Sequence, residues 1–383
     1  MLPSLLHSLP RLGRTWKPLN FSNPNFARIP TSQKIEEETM PDYVASWKLG
    51  FGASSTVWLA RDMNNRRYVT LMIFIKSASM GQQLDDEHQM YKRIERGSKS
   101  HPGHSAVRSL LVSFDVDGPE DKHRCLVHPP LWESVLTFLH LNPAQRLPAP
   151  VLAFVLKCLF LALDYLHTEF QIIHAVFSNF TQNKLQTPCP RKELDRKTIY
   201  VSQELRMPRK WGAPVLCDFG SAIPGGIEHL EDIQPNIYRA PEVILEVPRT
   251  YSVDIWNVRC MGYSLFTGHG PKSQTYRSQA HLAEIIRLLG PPPPSLLARG
   301  KLGHKFFLLN DKGKPISLFG GDFCAEVLSE DRIPLEQRET TLEGQEKASF
   351  LRLIQKMLQW EPAKRSSAKE LQEDEWVFGG LLV

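Results

Sequence analysis

Acidic residues are missing from the first 35 positions of this 383-residue chain, which carry Arg11, Arg14, Lys17, Arg28 and Lys34 before the first acid, Glu36. The formal net charge is +5, so the rest of the chain balances to zero. Basicity confined to a leader argues against direct nucleic-acid binding, because phosphate recognition needs Lys and Arg clustered on a folded surface. An acid-free leader rich in Leu, Ser and Arg has the composition of a mitochondrial presequence, and equally that of an incidentally basic tail. Paired cysteine spacing is also lacking. The six cysteines, Cys125, Cys158, Cys189, Cys217, Cys260 and Cys324, suggest neither a zinc site nor a disulfide framework. A reducing compartment follows, with the cytoplasm or nucleus as the expected location. No uninterrupted apolar run reaches the length needed to span a bilayer, since the most apolar stretch, 151–163, contains Lys157 and is followed by Asp164. No membrane association is expected.

What is present is enough apolar sequence for a large core. With 42% hydrophobic and 23% charged residues, general disorder is excluded. Residues 1–40 are punctuated by Pro and Asn and read as a disordered leader. Residues 41–128 read as a β-rich lobe: strands separated by a Gly turn and a polar turn over 47–75, a helix over 84–96 with apolar spacing at Leu84, Met90, Tyr91 and Ile94, then strands over 109–114 and 124–127. Residues 129–377 change to a mainly helical pattern, with helices predicted over 150–169, 252–266, 281–289, 345–358 and 368–373 and a short buried strand at 215–217. The stretch 291–321 is expected to be loop, 329–344 to be acidic and mobile, and 378–383 a tail.

Three motifs carry chemistry. Gly50-Phe51-Gly52-Ala53-Ser54-Ser55-Thr56-Val57 places small residues at a hairpin, where backbone N–H groups can approach phosphates closely, although such a hairpin by itself is more often only a turn. Asp218-Phe219-Gly220 follows an apolar VLC and puts a carboxylate at a strand end, where it can hold Mg²⁺ against the phosphates of a nucleotide. Ala240-Pro241-Glu242, then Asp254-Ile255-Trp256, then Trp360-Glu361-Pro362-Ala363-Lys364-Arg365 complete an ordered series. That series is the protein-kinase signature set.

Within it, KLGFGASSTVWLARD, LDYLHTEFQIIH, LCDFGSA, IQPNIYRAPEVIL, YSVDIWNV and MLQWEPAKRSSAKEL resemble the SR-protein kinases, particularly divergent fungal members, over about residues 30–377. The resemblance implies an α+β, two-lobed protein-kinase fold that uses ATP and Mg²⁺. It implies nucleotide contacts from Gly50, Gly52 and Val57, a metal role for Asp218, and a helix glutamate at Glu87. It further implies that Glu242 pairs with Arg365 to brace the larger lobe and that Asp254 holds the backbone of the catalytic loop.

The chain departs from the family where the chemistry is done. The third-strand lysine, which bridges phosphates to the helix glutamate, is replaced by Met72, and Lys76 lies four residues or about 13 Å further along the strand. Val176 stands where the catalytic base belongs, Ser178 where the loop lysine belongs and Thr181 at a second metal position; Asn179 and Asn183 are nearby amides. The first strand looks shortened. The resulting expectation is a catalytically impaired pseudokinase that binds nucleotide weakly or scaffolds a protein partner. The alternatives are an active ATP-dependent Ser/Thr kinase acting on Arg-Ser-rich splicing factors, and a product of wrongly joined exons. Between Asp218 and Glu242 only Ser221 and Tyr238 carry hydroxyls, and Ala175 replaces the arginine that receives a loop phosphate in regulated kinases, so no phosphorylation switch is expected there.

Overall fold

The structure is a computed structural model that describes residues 42–51, 55–74, 81–117, 122–131, 134–135, 139, 142, 146–175, 193–194, 197–198, 212–225, 234, 236–261, 266–270, 273–309, 315–318 and 334–380. The smaller lobe is a five-stranded antiparallel sheet in the order β1-β2-β3-β5-β4 with one helix against it. Its strands are β1 (Tyr43–Phe51), β2 (Ser55–Asp62), β3 (Arg67–Phe74), β4 (Val112–Asp117) and β5 (Lys122–His128), and the helix is α1 (Gly81–Glu95). Alternation along β3 explains the two faces. Val69 and Leu71 join Ala60, Val116, Cys125 and Val127 in a core on one side. Phe74 and the half-buried Met72 join the main core on the other.

The first strand is not shortened as expected. It runs nine residues and pairs with β2 from Tyr43↔Asp62 to Phe51↔Thr56. Two register shifts, between Ala45 and Trp47 and between Lys48 and Gly50, interrupt its alternation and hide a full strand from a period-two reading.

The larger lobe is built on α2 (Ala149–Glu169), whose one side buries Ala153, Leu156, Phe160, Leu163, Tyr165 and Leu166. At 21 residues this helix is, by length and composition, long and apolar enough to cross a membrane, which corrects the expectation that no segment is. Its apolar positions have a partner within the protein: α2 packs on α10 (Ala368–Gln372), α11 (Glu375–Gly379) and the 3₁₀ turn Pro102–Ala106. The turn approaches so closely that a Cβ on Gly103 would stand 2.0 Å from the Leu161 carbonyl oxygen, so only glycine fits. Lys157, the charge inside the apolar stretch, donates to the Gln372 carbonyl at 2.6 Å.

Between α2 and α10 lie α3 (Pro241–Ile244), α4 (Ser252–Met261), α5 (Ser278–Leu289), α6 (Pro294–Arg299), α7 (Gly303–Phe306), α8 (Leu335–Arg338) and α9 (Gly344–Met357). Helix ends follow local chemistry. Ser367 and Glu370 form a capping box that starts α10, and Gly290 at φ 84° ends α5. The expected loop over 291–321 contains α6, α7 and a hairpin of Phe307–Leu309 with Pro315–Leu318. Leu296, Leu297, Phe306 and Phe307 are buried there, so core packing overrides the Gly and Pro punctuation. The predicted strand at 215–217 reduces to one bridge, Val107↔Leu216.

Candidate active site

The sheet register aligns three of the positions singled out from sequence. Gly50 pairs with Val57, Val57 with Met72, and Met72 with Leu126, one row across four strands. Val57 and Met72 are therefore direct cross-strand neighbours at the roof of the cleft. Gly52, Lys76, Val176, Ser178, Asn179, Thr181 and Asn183 lie outside the described residues.

Opposite this row, α1 presents Glu87, only 6% exposed, with its Oε1 lacking any hydrogen-bond partner. Burial drives the Glu87 pKa up to about 7, the Asp218 carboxylate adds to the rise, and Arg108 and the Phe219 backbone N–H pull the other way. Met72 offers no charge to offset this burial. Asp218 is brought to the same place. Gly220 sits between the two acids, and a Cβ there would stand 3.3 Å from Glu87 Oε2 and 3.7 Å from Asp218 Oδ1. Asp218 itself is exposed at the cleft and holds a left-handed φ of 71°. Protein packed around its carboxyl still raises its pKa, while His174 and the Gly220 N–H lower it.

Beneath the cleft one buried carboxylate is fully partnered. Asp254 on α4 is fully buried and accepts from the backbone N–H groups of His174 and Ala175, each at 2.9 Å, and lies 2.9 Å from His167 Nε2. Ala175 is thereby held at φ 66°, and Asn257 donates to its carbonyl at 3.2 Å. That places Asp254 against the chain that leads into the loop of Val176. A column of rings continues upward: His174 to Phe219 at 5.2 Å, Phe219 to Tyr91 at 5.1 Å, and Tyr91 to His128 at 4.8 Å. Nothing in the sequence pattern marked His174, Tyr91 and His128 as one stack; only i, i+4 spacing tied Tyr91 to Glu87.

Glu242 and Arg365 meet at the base of the larger lobe. Arg365 Nη1 and Nη2 donate to the two Glu242 carboxylate oxygens at 2.5 and 2.7 Å, with both side chains fully buried. Arg365 also donates to the carbonyls of Gln359 and Ser252, and its guanidinium lies 4.8 Å from the Trp256 ring centre. Every face of the arginine is engaged.

ATP and Mg²⁺ serve protein kinases in general, and the residues here can be tested against them. Asp218 supplies one exposed carboxylate, and Glu87 a buried one whose Oε1 has no hydrogen-bond partner. Among the described residues no group of three His, Cys, Asp or Glu side chains could hold a metal ion. Mg²⁺ bound to phosphates takes one or two protein carboxylates, a role open to Asp218, and the other expected contacts, Ser178 and Thr181, lie outside the described residues, so no step is derived through the nucleotide.

Comparison with known proteins agrees with the ordered motifs. Residues 209–377 match the protein kinase domain family. Over 385 aligned positions the chain is 37% identical to a serine/threonine protein kinase of Aspergillus fumigatus, covering 92% of this chain and 93% of that protein. It is 30% identical over 382 positions to the serine/threonine-protein kinase SRPK of Physarum polycephalum, covering 89% and 87%. A stretch of 127 positions, 33% of this chain and 22% of the relative, is 31% identical to SRSF protein kinase 3 of Mus musculus.

Proposed function

The chain belongs to the protein kinases, as an SR-protein-kinase-like member of the serine/threonine type, and from that premise we propose that it is a catalytically impaired pseudokinase acting as a protein-binding scaffold. The observation that carries this reading is the state of Glu87: it is buried, one oxygen is unpartnered, and Met72 occupies the strand position from which a lysine would reach it. A charge that should link phosphates to helix α1 is missing from an otherwise well-packed cleft. The sequence adds Val176 at the base position, which can neither accept a proton nor orient a hydroxyl. Loss of a general base costs about 10²–10⁴ in rate. Loss of a preorganised charge contact costs about 10²–10³, and the two need not multiply.

The partner we propose is a protein with Arg-Ser-rich segments. Its support is the family and the naming of one relative as an SRSF protein kinase. The test is transfer of labelled phosphate from ATP to an Arg-Ser peptide, run beside Asp218→Ala as a blank. Transfer no greater than the blank, together with retained peptide binding, is the expected result. Turnover that depends on Asp218 would sink the pseudokinase reading and favour an active Ser/Thr kinase.

A further inference from the structure

We propose that Arg108 is the positioning cation that balances Glu87 in place of the strand lysine, holding α1 against the segment that leads into Asp218. This inference concerns how the fold tolerates the lost lysine and stands apart from whether the chain transfers phosphate.

The placement follows from a closed chain of contacts. Arg108 is fastened by its backbone to the segment that leads into Asp218: its N–H donates to the Leu216 carbonyl, and the Leu216 N–H donates to the Ala106 carbonyl, both at 2.8 Å. The next residue, Ser109, offers its carbonyl to His128 Nδ1 at 2.9 Å. His128 packs on Tyr91, and Tyr91 lies one helical turn beyond Glu87 on the buried face of α1. These contacts bring the Arg108 segment to the same part of the lobe as Tyr91 and Glu87, both of which feel its charge.

Within that volume two opposite charges are each short of partners. Arg108 Nε is buried with no hydrogen bond, and its Nη2 reaches only the Pro129 carbonyl at a long 3.5 Å. Glu87 Oε1 is likewise buried and unpartnered. The groups facing the guanidinium respond as they would to a nearby cation. Burial raises the pKa of Glu87, Tyr91 and Cys217 and the cation pulls each back in part, while at His128 it adds to the burial that disfavours protonation. The ionised carboxylate alone would be costly in this setting, and the guanidinium offsets part of that cost through space in a poorly screened interior.

A double-mutant cycle separates this from simple packing. Thermal unfolding at pH 8 is measured for the unmodified chain, Arg108→Met, Glu87→Gln and the double variant, with hydrogen exchange over α1 as a second readout. Arg108→Met should lower the melting temperature by about 5 °C and speed exchange in α1, because it strands a buried carboxylate. The same change made beside Glu87→Gln should cost less than half as much. Equal losses with Glu or Gln at position 87, or no loss at all, would overturn the proposal. If Arg108→Met does not fold, Arg108→Gln is used in the same cycle with the same criteria. Phosphate transfer is not read in this experiment, so its outcome and that of the peptide assay stand independently.

Discussion

Glu242 and Glu87 are buried glutamates on helices of one chain, 0% and 6% exposed, yet their surroundings have diverged. Glu242 receives a bidentate arginine whose remaining donors and aromatic face are also occupied. Glu87 lies near Asp218 around Gly220 and keeps an unpartnered oxygen. The first pair joins residues 123 apart in sequence. The second would be completed by a lysine whose task is to hold phosphates. Asp254 belongs with Glu242, since its contacts hold the backbone of His174 and Ala175 whether or not any chemistry follows. The difference teaches that, within one fold, a buried carboxylate joining distant segments is fully paired while one on the smaller lobe's helix keeps an unpartnered oxygen. An unpaired buried charge in the large-lobe brace has no alternative partner, whereas Glu87 can share Arg108 or take a proton.

The contrast is open to attack, beginning with the larger effect. Arg365→Ala should destabilise the protein by about 3–5 kcal/mol, because it leaves the Glu242 carboxylate buried without its cation. Denaturant unfolding is the readout. A variant as stable as the parent would mean that this brace does not hold the lobe.

Glu87→Gln should behave differently, and with an opposite sign in alkaline solution. Glu87 is raised from 4.5 in the unfolded chain to about 7 in the folded one, so the folded state holds its proton more tightly. Stability from this group is present below pH 4.5, is lost as pH rises towards 7, and stays lost above it. Relative to the parent, the Gln variant should therefore gain stability between pH 5 and pH 8, by no more than about 3 kcal/mol. Parallel stability curves for the two proteins across that range would show that Glu87 carries no such cost.

The smallest effect is expected from Met72→Lys. A lysine there would give Glu87 a partner on the strand and should stabilise the protein by roughly 1 kcal/mol. Phosphate transfer to an Arg-Ser peptide should remain at the level of the Asp218→Ala blank, because Val176 is unchanged and the parts of this reaction act together. Substantial turnover by this single variant would show that another group supplies the base.

Much of this molecule was legible before its structure. The five strands and one helix of the smaller lobe follow from alternation and turn residues, and helix α2 from its apolar spacing. Glu242, Asp254 and Arg365 stood out through the ordered motifs in which they sit. What was misread has specific causes. Two register shifts disguised the first strand as a fragment. Prolines and glycines between 291 and 321 suggested a loop, although Leu296, Leu297, Phe306 and Phe307 bury enough apolar surface to order it. Helix α2 was placed at nearly its full length, 150–169 against Ala149–Glu169, and what one dimension hides is that Lys157 inside its apolar stretch is answered by the Gln372 carbonyl.

The sequence by itself determined the lobes, their order and the identity of the missing groups, because strand alternation, helical spacing and motif residues are local or separated by short, readable intervals. Only the tertiary structure decided the surroundings of Glu87. Those surroundings depend on how deeply the carboxyl is buried, on Gly220 bringing Asp218 beside it, and on Arg108 arriving behind it from a segment twenty residues away. Charge interactions depend on distance and burial in three dimensions, and neither is encoded by spacing along the chain.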